Sequence, residues 1–163
     1  VYVKVYIFGV GKISFTARPL MLSRTTEYAL RAVTCLAGQA AGGTTLSSAD
    51  EIARITQVPR RYLHRVLQNL AAAGLVESRC GSRGGYVLAR AADTITILDV
   101  VGAVERVRRI CRCPLNLPSH TSLCPLHAEM DRAYAVMEQA FAKVTIADVL
   151  NSTSPIVPLF DSP

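Results

Sequence analysis

Three thiols and an imidazole stand in two short units, Cys111-Arg112-Cys113-Pro114 and, ten residues later, Cys124-Pro125-Leu126-His127. Donors this soft suit an iron–sulfur cluster or zinc; the same thiols can also serve as a disulfide switch, or stay inert. Arg106, Arg108, Arg109 and Arg112 crowd the segment, and cationic neighbours favour the thiolate that ligation and oxidation both need. A Cys-x-x-His unit at a helix start can turn both donors toward one centre. Cys111 and Cys113 point apart in extended chain and need a turn to share it. The spacing is not the paired Cys-x-x-Cys of a zinc ribbon. Of the other cysteines, Cys35 sits on an apolar helical face and reads as core, and Cys80 has no evident partner. Five cysteines without a secretory signal fit a reducing, cytoplasmic setting.

The second chemistry is electrostatic. The chain of 163 residues carries a net charge of +6, and the stretch from Arg54 to Arg90, with seven arginines against the one acid Glu77, accounts for that whole surplus. A local basic excess is the footprint of a surface that neutralises phosphates and releases counterions. Within it Leu63, Val66, Leu67 and Leu70 recur at i, i+3, i+4 and i+7, a stripe that packs inward. Arg60, Arg61, His64, Arg65 and Gln68 form the opposite stripe. Long donors near a helix N-terminus reach base edges in a major groove; Gln68 stands too far along. Arg79 is placed to contact a phosphate, and Arg83, at a glycine-flanked hairpin tip, to enter a minor groove or lie on the phosphate track.

These side chains need a frame. Ser23 or Thr25 can cap a first helix with Tyr28, Ala32 and Leu36 on its apolar face, ended by Gly42-Gly43. Ser47 or Ser48 caps a short helix, Thr56-Gln57-Val58 turns tightly, and Pro59 suits the opening of the next helix, which is the spacing of a helix-turn-helix. Leu75–Arg79 and Tyr86–Leu88 read as two strands joined by a glycine-rich turn, a wing. Thr96 with Asp99, and Thr145 with Asp148, mark two further helix starts. Between them a helix from about Leu126 to Lys143 repeats Met130, Ala133, Tyr134, Met137, Ala140 and Phe141 at threes and fours. That apolar surface asks for a partner, read here as a second copy of the chain. The expected architecture is mainly α with a small β-hairpin wing: a winged helix-turn-helix domain plus a long C-terminal dimerisation helix. Residues 21–92 form the DNA-binding domain, 93–150 the cysteine loop and dimerisation helices, and 151–163 a frayed tail. Residues 1–20 read as an N-terminal extension, with Met21 as a candidate translation start.

Other classes find no support. Apolar runs are broken too early for a membrane span. Gly9-Val10-Gly11-Lys12 lacks the first glycine and the Ser or Thr of a phosphate loop, and no metalloprotease motif or nucleophile–base pair suggests catalysis. The rival from another class is an iron–sulfur electron carrier or metalloenzyme whose basic helix docks an acidic partner.

The segments Leu22–Arg31 (LSRTTEYALR), Ile52-Ala53, Val58–Leu63 (VPRRYL), Gly74-Leu75-Val76, Arg83–Ala89 (RGGYVLA), Ile97–Val101 (ILDVV) and Thr145–Leu150 (TIADVL) together resemble the Rrf-two family of bacterial winged-helix regulators, of the IscR/NsrR type. The resemblance runs from Met21 to about Leu150. It implies a cytoplasmic homodimeric transcription factor, usually a repressor, on a roughly palindromic double-stranded DNA operator. It adds Arg24, Pro59, Tyr62 and Gly84 to the DNA-facing set. It also implies a [2Fe–2S] or [4Fe–4S] cluster, as in several members, that reports iron–sulfur status, nitric oxide or redox state. Cys113, Cys124 and His127 match the family's first and third cysteines and trailing histidine. The middle cysteine falls at Ser119 or His120, where Cys111 or His120 could substitute, and Glu27 either matches a first-helix position from which some relatives offer a carboxylate across the dimer or is an ordinary exposed helix acid. Relatives with cysteines and no cluster also exist, which leaves the effector open.

Overall fold

The computed structural model describes residues 22–81, 84–105, 109–115 and 117–154. The N-terminal extension, Arg83, Arg106, Arg108 and the tail beyond 154 lie outside the described residues. The helix α1 (Arg24–Ala41) begins where the Thr26 amide donates to the Ser23 hydroxyl, so Ser23 rather than Thr25 is the cap. Its Ala29, Ala32, Val33, Leu36 and Ala37 are buried. Helix α2 (Ala49–Thr56) is capped by Ser48 and stops at Gln57, which holds the left-handed conformation (φ 54°). One residue in that conformation redirects the chain into α3 (Arg60–Ala72), whose N-cap is Pro59. The Leu63, Val66, Leu67 and Leu70 stripe is fully buried, as its period demands. Burying such side chains contributes roughly 1.5–3 kcal/mol each, so this face, and not the charged one, decides which way α3 turns.

After α3, Leu75 is buried and its carbonyl accepts the Ala89 amide at 3.0 Å, closing the base of an antiparallel hairpin. Strands β1 (Val76–Arg79) and β2 (Gly85–Leu88) pair Val76 with Leu88 and Arg79 with Gly85. β2 is also held from its other side, where Ser47 and Tyr86 exchange two backbone hydrogen bonds of 3.0 and 2.8 Å. The wing is thus fastened to the segment that leads into α2. Gly85 makes this possible: a Cβ there would stand 2.6 Å from the Ser47 carbonyl oxygen.

A 3-10 turn (Ala92–Thr94) leads to α4 (Ile97–Val104), then come α5 (Pro125–Lys143) and α6 (Ile146–Leu150). Thr96 with Asp99 and Thr145 with Asp148 form full capping boxes. Hydrogen bonds to Asp148 from the Thr145 backbone and side chain hold its carboxyl below its ordinary range. The two caps face each other, since the Ile97 amide donates to Val144 and the Ile146 amide to Ile95. Ile95, Val100 and Ile146 join the same core as α1 and α3. By contrast α5 buries none of its residues, and Leu126, Met130, Tyr134 and Val136 are exposed. The architecture is mainly α with a two-stranded wing. Among the described residues, no helix is long and apolar enough to cross a membrane.

Candidate DNA-reading surface and cysteine–histidine centre

Because the leucine face of α3 is sealed in the core, Arg60, Arg61, His64, Arg65 and Gln68 are turned outward, and all are exposed. Each charge is held differently. Arg60 reaches Asp50 on α2 at 2.5 Å, an ion pair between two well-exposed side chains of the kind that stabilises little. Arg61 lies over the Tyr62 ring, 4.7 Å from its centre, and donates to the Tyr62 hydroxyl at 3.1 Å. Tyr62 in turn leans on Tyr28 of α1, the ring centres 6.0 Å apart. A guanidinium stacked on a braced ring has fewer arrangements to lose when it meets a base or phosphate. His64 and Arg65 have no such brace described. Pro59 makes no side-chain cap, which leaves this helix end open to an anion.

Arg24 is exposed at the first turn of α1, and Arg79 stands exposed on β1, 4.0 Å from Glu77. Gly84 belongs where it is because a Cβ would collide with the Arg79 carbonyl oxygen; the wing turn closes only around a missing side chain. Arg31 was not foreseen as part of this frame. It donates to the Thr56 carbonyl at 3.1 Å, the C-terminal end of α2, and to Glu27 at 2.5 Å. A cation at a helix C-terminus is favourable, and here it fixes the turn that aims α3. Its signal in the sequence is only the Glu27–Arg31 spacing of four.

The cysteine segment converges in part. Cys113 Sγ lies 3.0 Å from His120 Nδ1 and 3.6 Å from His127 Nδ1, and Cys124 Sγ lies 3.1 Å from His127 Nδ1. Donor atoms of Cys113, Cys124 and His127 all fall within 4.8 Å of one another. Pro125 opens α5 and Cys124 is its N-cap, so one helical turn brings His127 back over Cys124. Cys113 is buried. Cys111 is exposed, with its Sγ directed at the Arg109 carbonyl 3.7 Å away; it stands outside the set. Glu27 is engaged with Arg31. Cys35 is buried in the core as its helical position predicts, and burial, with Glu51 nearby, pushes its thiol up to about 11. A thiol so protonated at neutral pH is a poor nucleophile.

The start of the loop is tied down twice. Arg109 donates two hydrogen bonds, of 2.7 and 2.6 Å, to the Asp131 carboxylate, which also accepts the Ile110 amide at 2.8 Å. Those bonds from Arg109 hold the Asp131 carboxyl below its ordinary range. Upstream, Thr26 of α1 donates to Glu105, the C-cap of α4, at 2.5 Å. Asp131 went unnoticed in the sequence; its signal is the spacing of four from His127, which puts it one turn along the same side of α5. The donor chemistry fits an iron–sulfur group or a single soft cation: two thiols and an imidazole, three of the four ligands that either requires.

A helix-turn-helix with a basic outer face, followed by a hairpin fastened beside it, defines a winged-helix DNA-binding protein. Residues 22–152 match the Rrf2 family, described as iron-dependent transcriptional regulators, and the chain belongs to that family. It is 31% identical over 137 residues to an Aquifex aeolicus protein assigned as an HTH-type transcriptional regulator, covering 81% of this chain and 92% of that one. Among solved structures it is similar to CymR of B. subtilis, the global cysteine regulator, with 26% identity, a TM-score of 0.67, and coverage of 83% of this chain and 99% of that one. It shares its fold with IscR of T. potens at 24% identity and a TM-score of 0.67, over 83% of this chain and 90% of that one. The family comprises transcriptional regulators rather than enzymes, and the metalloenzyme alternative gives way on that ground.

Proposed function

We propose that the protein acts as a cytoplasmic homodimer that recognises a palindromic operator in double-stranded DNA and represses transcription, with the cysteine–histidine loop as its sensor. The observation that carries this reading is the exposed Arg60, Arg61, His64 and Arg65 face of α3, backed by its buried leucine stripe. Residues 21–92 would serve as the DNA-binding domain, with α3 in the major groove, Arg24 and Arg79 on phosphates, and the wing on the flank. Residues 93–150 would carry the sensor loop and the pairing helix. Two copies joined along the exposed apolar side of α5 would set their α3 helices about one DNA turn apart.

If an iron–sulfur group binds, Cys113, Cys124 and His127 would hold it, and it would supply a redox-responsive charge. The chain's own part is mechanical. Arg109 and Ile110 tie the loop to α5 through Asp131, so a loop that changes shape pulls on the helix that sets the spacing of the two halves. Coupling then equals the difference in effector affinity between the two dimer shapes. Arg61→Ala tests the reading: operator affinity should fall by roughly 1–3 kcal/mol with relaxed preference at one base position. Equal loss on every sequence would make Arg61 a phosphate contact, and no loss at all would remove α3 from the groove.

A further inference from the structure

A single carboxamide joins three elements that the sequence leaves unconnected. Gln39 stands in the last turn of α1. Its Oε1 accepts from the Ser47 hydroxyl and, at 3.7 Å, from the Cys35 thiol, and its Nε2 donates to the Glu51 carboxylate of α2 at 3.1 Å. The Gln39 backbone carbonyl accepts the Thr44 amide at 2.8 Å. Ser47 is the residue whose backbone exchanges two hydrogen bonds with Tyr86 of β2. We propose that Gln39 is a positioning residue for DNA binding: acting through Ser47 and Glu51, it fixes the wing and the helix-turn-helix in one frame.

The donor and acceptor types leave the amide one arrangement. Ser47 is 2% exposed, and its hydroxyl needs an acceptor because a buried, unpaired donor is costly. Cys35 is buried and keeps its proton at neutral pH, its thiol pushed up to about 11 by burial and by Glu51, so it too has a proton to give. An ionised Glu51 offers acceptors alone, and its bond from the amide is charge-assisted. An oxygen toward two donors with a nitrogen toward a carboxylate is what glutamine supplies. Glutamate there would set two carboxylates together, and leucine would strand the Ser47 hydroxyl. The effect reaches the wing through the backbone. Ser47 is held on α1 by its side chain and on β2 by its amide and carbonyl, so the hairpin that carries Arg79 cannot shift against α1 without breaking one set of bonds or the other. Glu51 in turn gives its own amide to Ser48, the cap of α2, and the far end of α2 turns directly into α3. A frame already assembled in the free protein reduces the ordering cost of binding.

The DNA-binding role rests on the proposed placement of the wing at the operator flank, but the clamp itself is measured without DNA. In full-length protein, deuterium exchange of the Ser47 and Tyr86 amides reports the paired backbone directly. Gln39→Glu should speed both by about 10-fold, as the loss of one hydrogen bond to a charged group implies. Gln39→Glu combined with Glu51→Gln again sets one amide against one carboxylate. That double variant should return both rates to within about 3-fold of wild type, which separates a specific clamp from a general loss of fold. On a duplex carrying the protein's own promoter, Gln39→Glu should bind about 10-fold more weakly. Hydroxyl-radical protection should be lost at the flanks and kept at the centre of each half-site, where a merely structural defect would weaken it evenly; the double variant should recover both. Wild-type exchange in Gln39→Glu would overturn the clamp, as would a double variant no better than Gln39→Glu. Faster exchange with unchanged promoter affinity would overturn its role in DNA binding. Wild-type protein that retards its promoter no better than random DNA would instead sink the regulator reading, and the exchange rates would still judge the clamp.

Discussion

Gly85→Ala is the most direct test of how the wing is held. The added methyl would meet the Ser47 carbonyl oxygen at 2.6 Å and its carbon at 2.9 Å, where ordinary contact begins near 3.4 Å. Both neighbours are backbone, so the methyl cannot rotate clear and the two chains must separate. The separation strains or breaks the Ser47–Tyr86 pair of hydrogen bonds, at 3.0 and 2.8 Å, beside a Ser47 that is only 2% exposed. At roughly 0.5–1.5 kcal/mol net for each bond, the expected loss is about 1–3 kcal/mol. Urea denaturation at fixed protomer concentration should show a lower midpoint with an unchanged slope, and operator affinity should drop because the wing no longer lies where α3 needs it. A variant with wild-type midpoint and wild-type operator affinity would refute the claim that β2 is docked on Ser47.

The opposite sign is expected at Gly102, exposed in α4, where an added methyl would meet nothing within 4 Å: Gly102→Ala should raise stability by up to ~1 kcal/mol, read as a higher thermal midpoint. Asp131, whose carboxyl is held low by Arg109, anchors the loop above the ordinary aspartate range near pH 4, and the anchor is lost as pH falls through the depressed value. Asp131→Asn should loosen the loop already at neutral pH, seen as faster tryptic cleavage after Arg109 and Arg112; unchanged cleavage would mean the loop is held by other contacts.

Signals confined to a short stretch of chain were legible because their physics is local. The capping boxes at Thr96 and Thr145, the leucine stripe of α3 and the repeat along the amphipathic α5 each depend on neighbours one or two helical turns away, and the structure places them where the spacing indicates. Strand β1 starts one residue later than expected because Leu75 closes the hairpin from the core. What spacing could not reveal were contacts made by chain reversal: Arg31 on the end of α2, Thr26 on Glu105, Ser47 on the wing. The helix-turn-helix turn was visible at Thr56-Gln57-Val58, but not its left-handed Gln57, since no glycine announces it. In the cysteine loop the ligand types were legible and their convergence was not. Cys111 and His120 look equally eligible in one dimension, and only the turn at Leu117 sets the imidazole against Cys113.

Helix α5 is secured near its start through Asp131 and at its end by the facing caps, and no side chain along it is sunk in the interior. Mutational drift on its outer side can therefore proceed without a folding penalty. If two copies pair along this side as proposed, substitutions there would alter which chains can pair before they alter the fold.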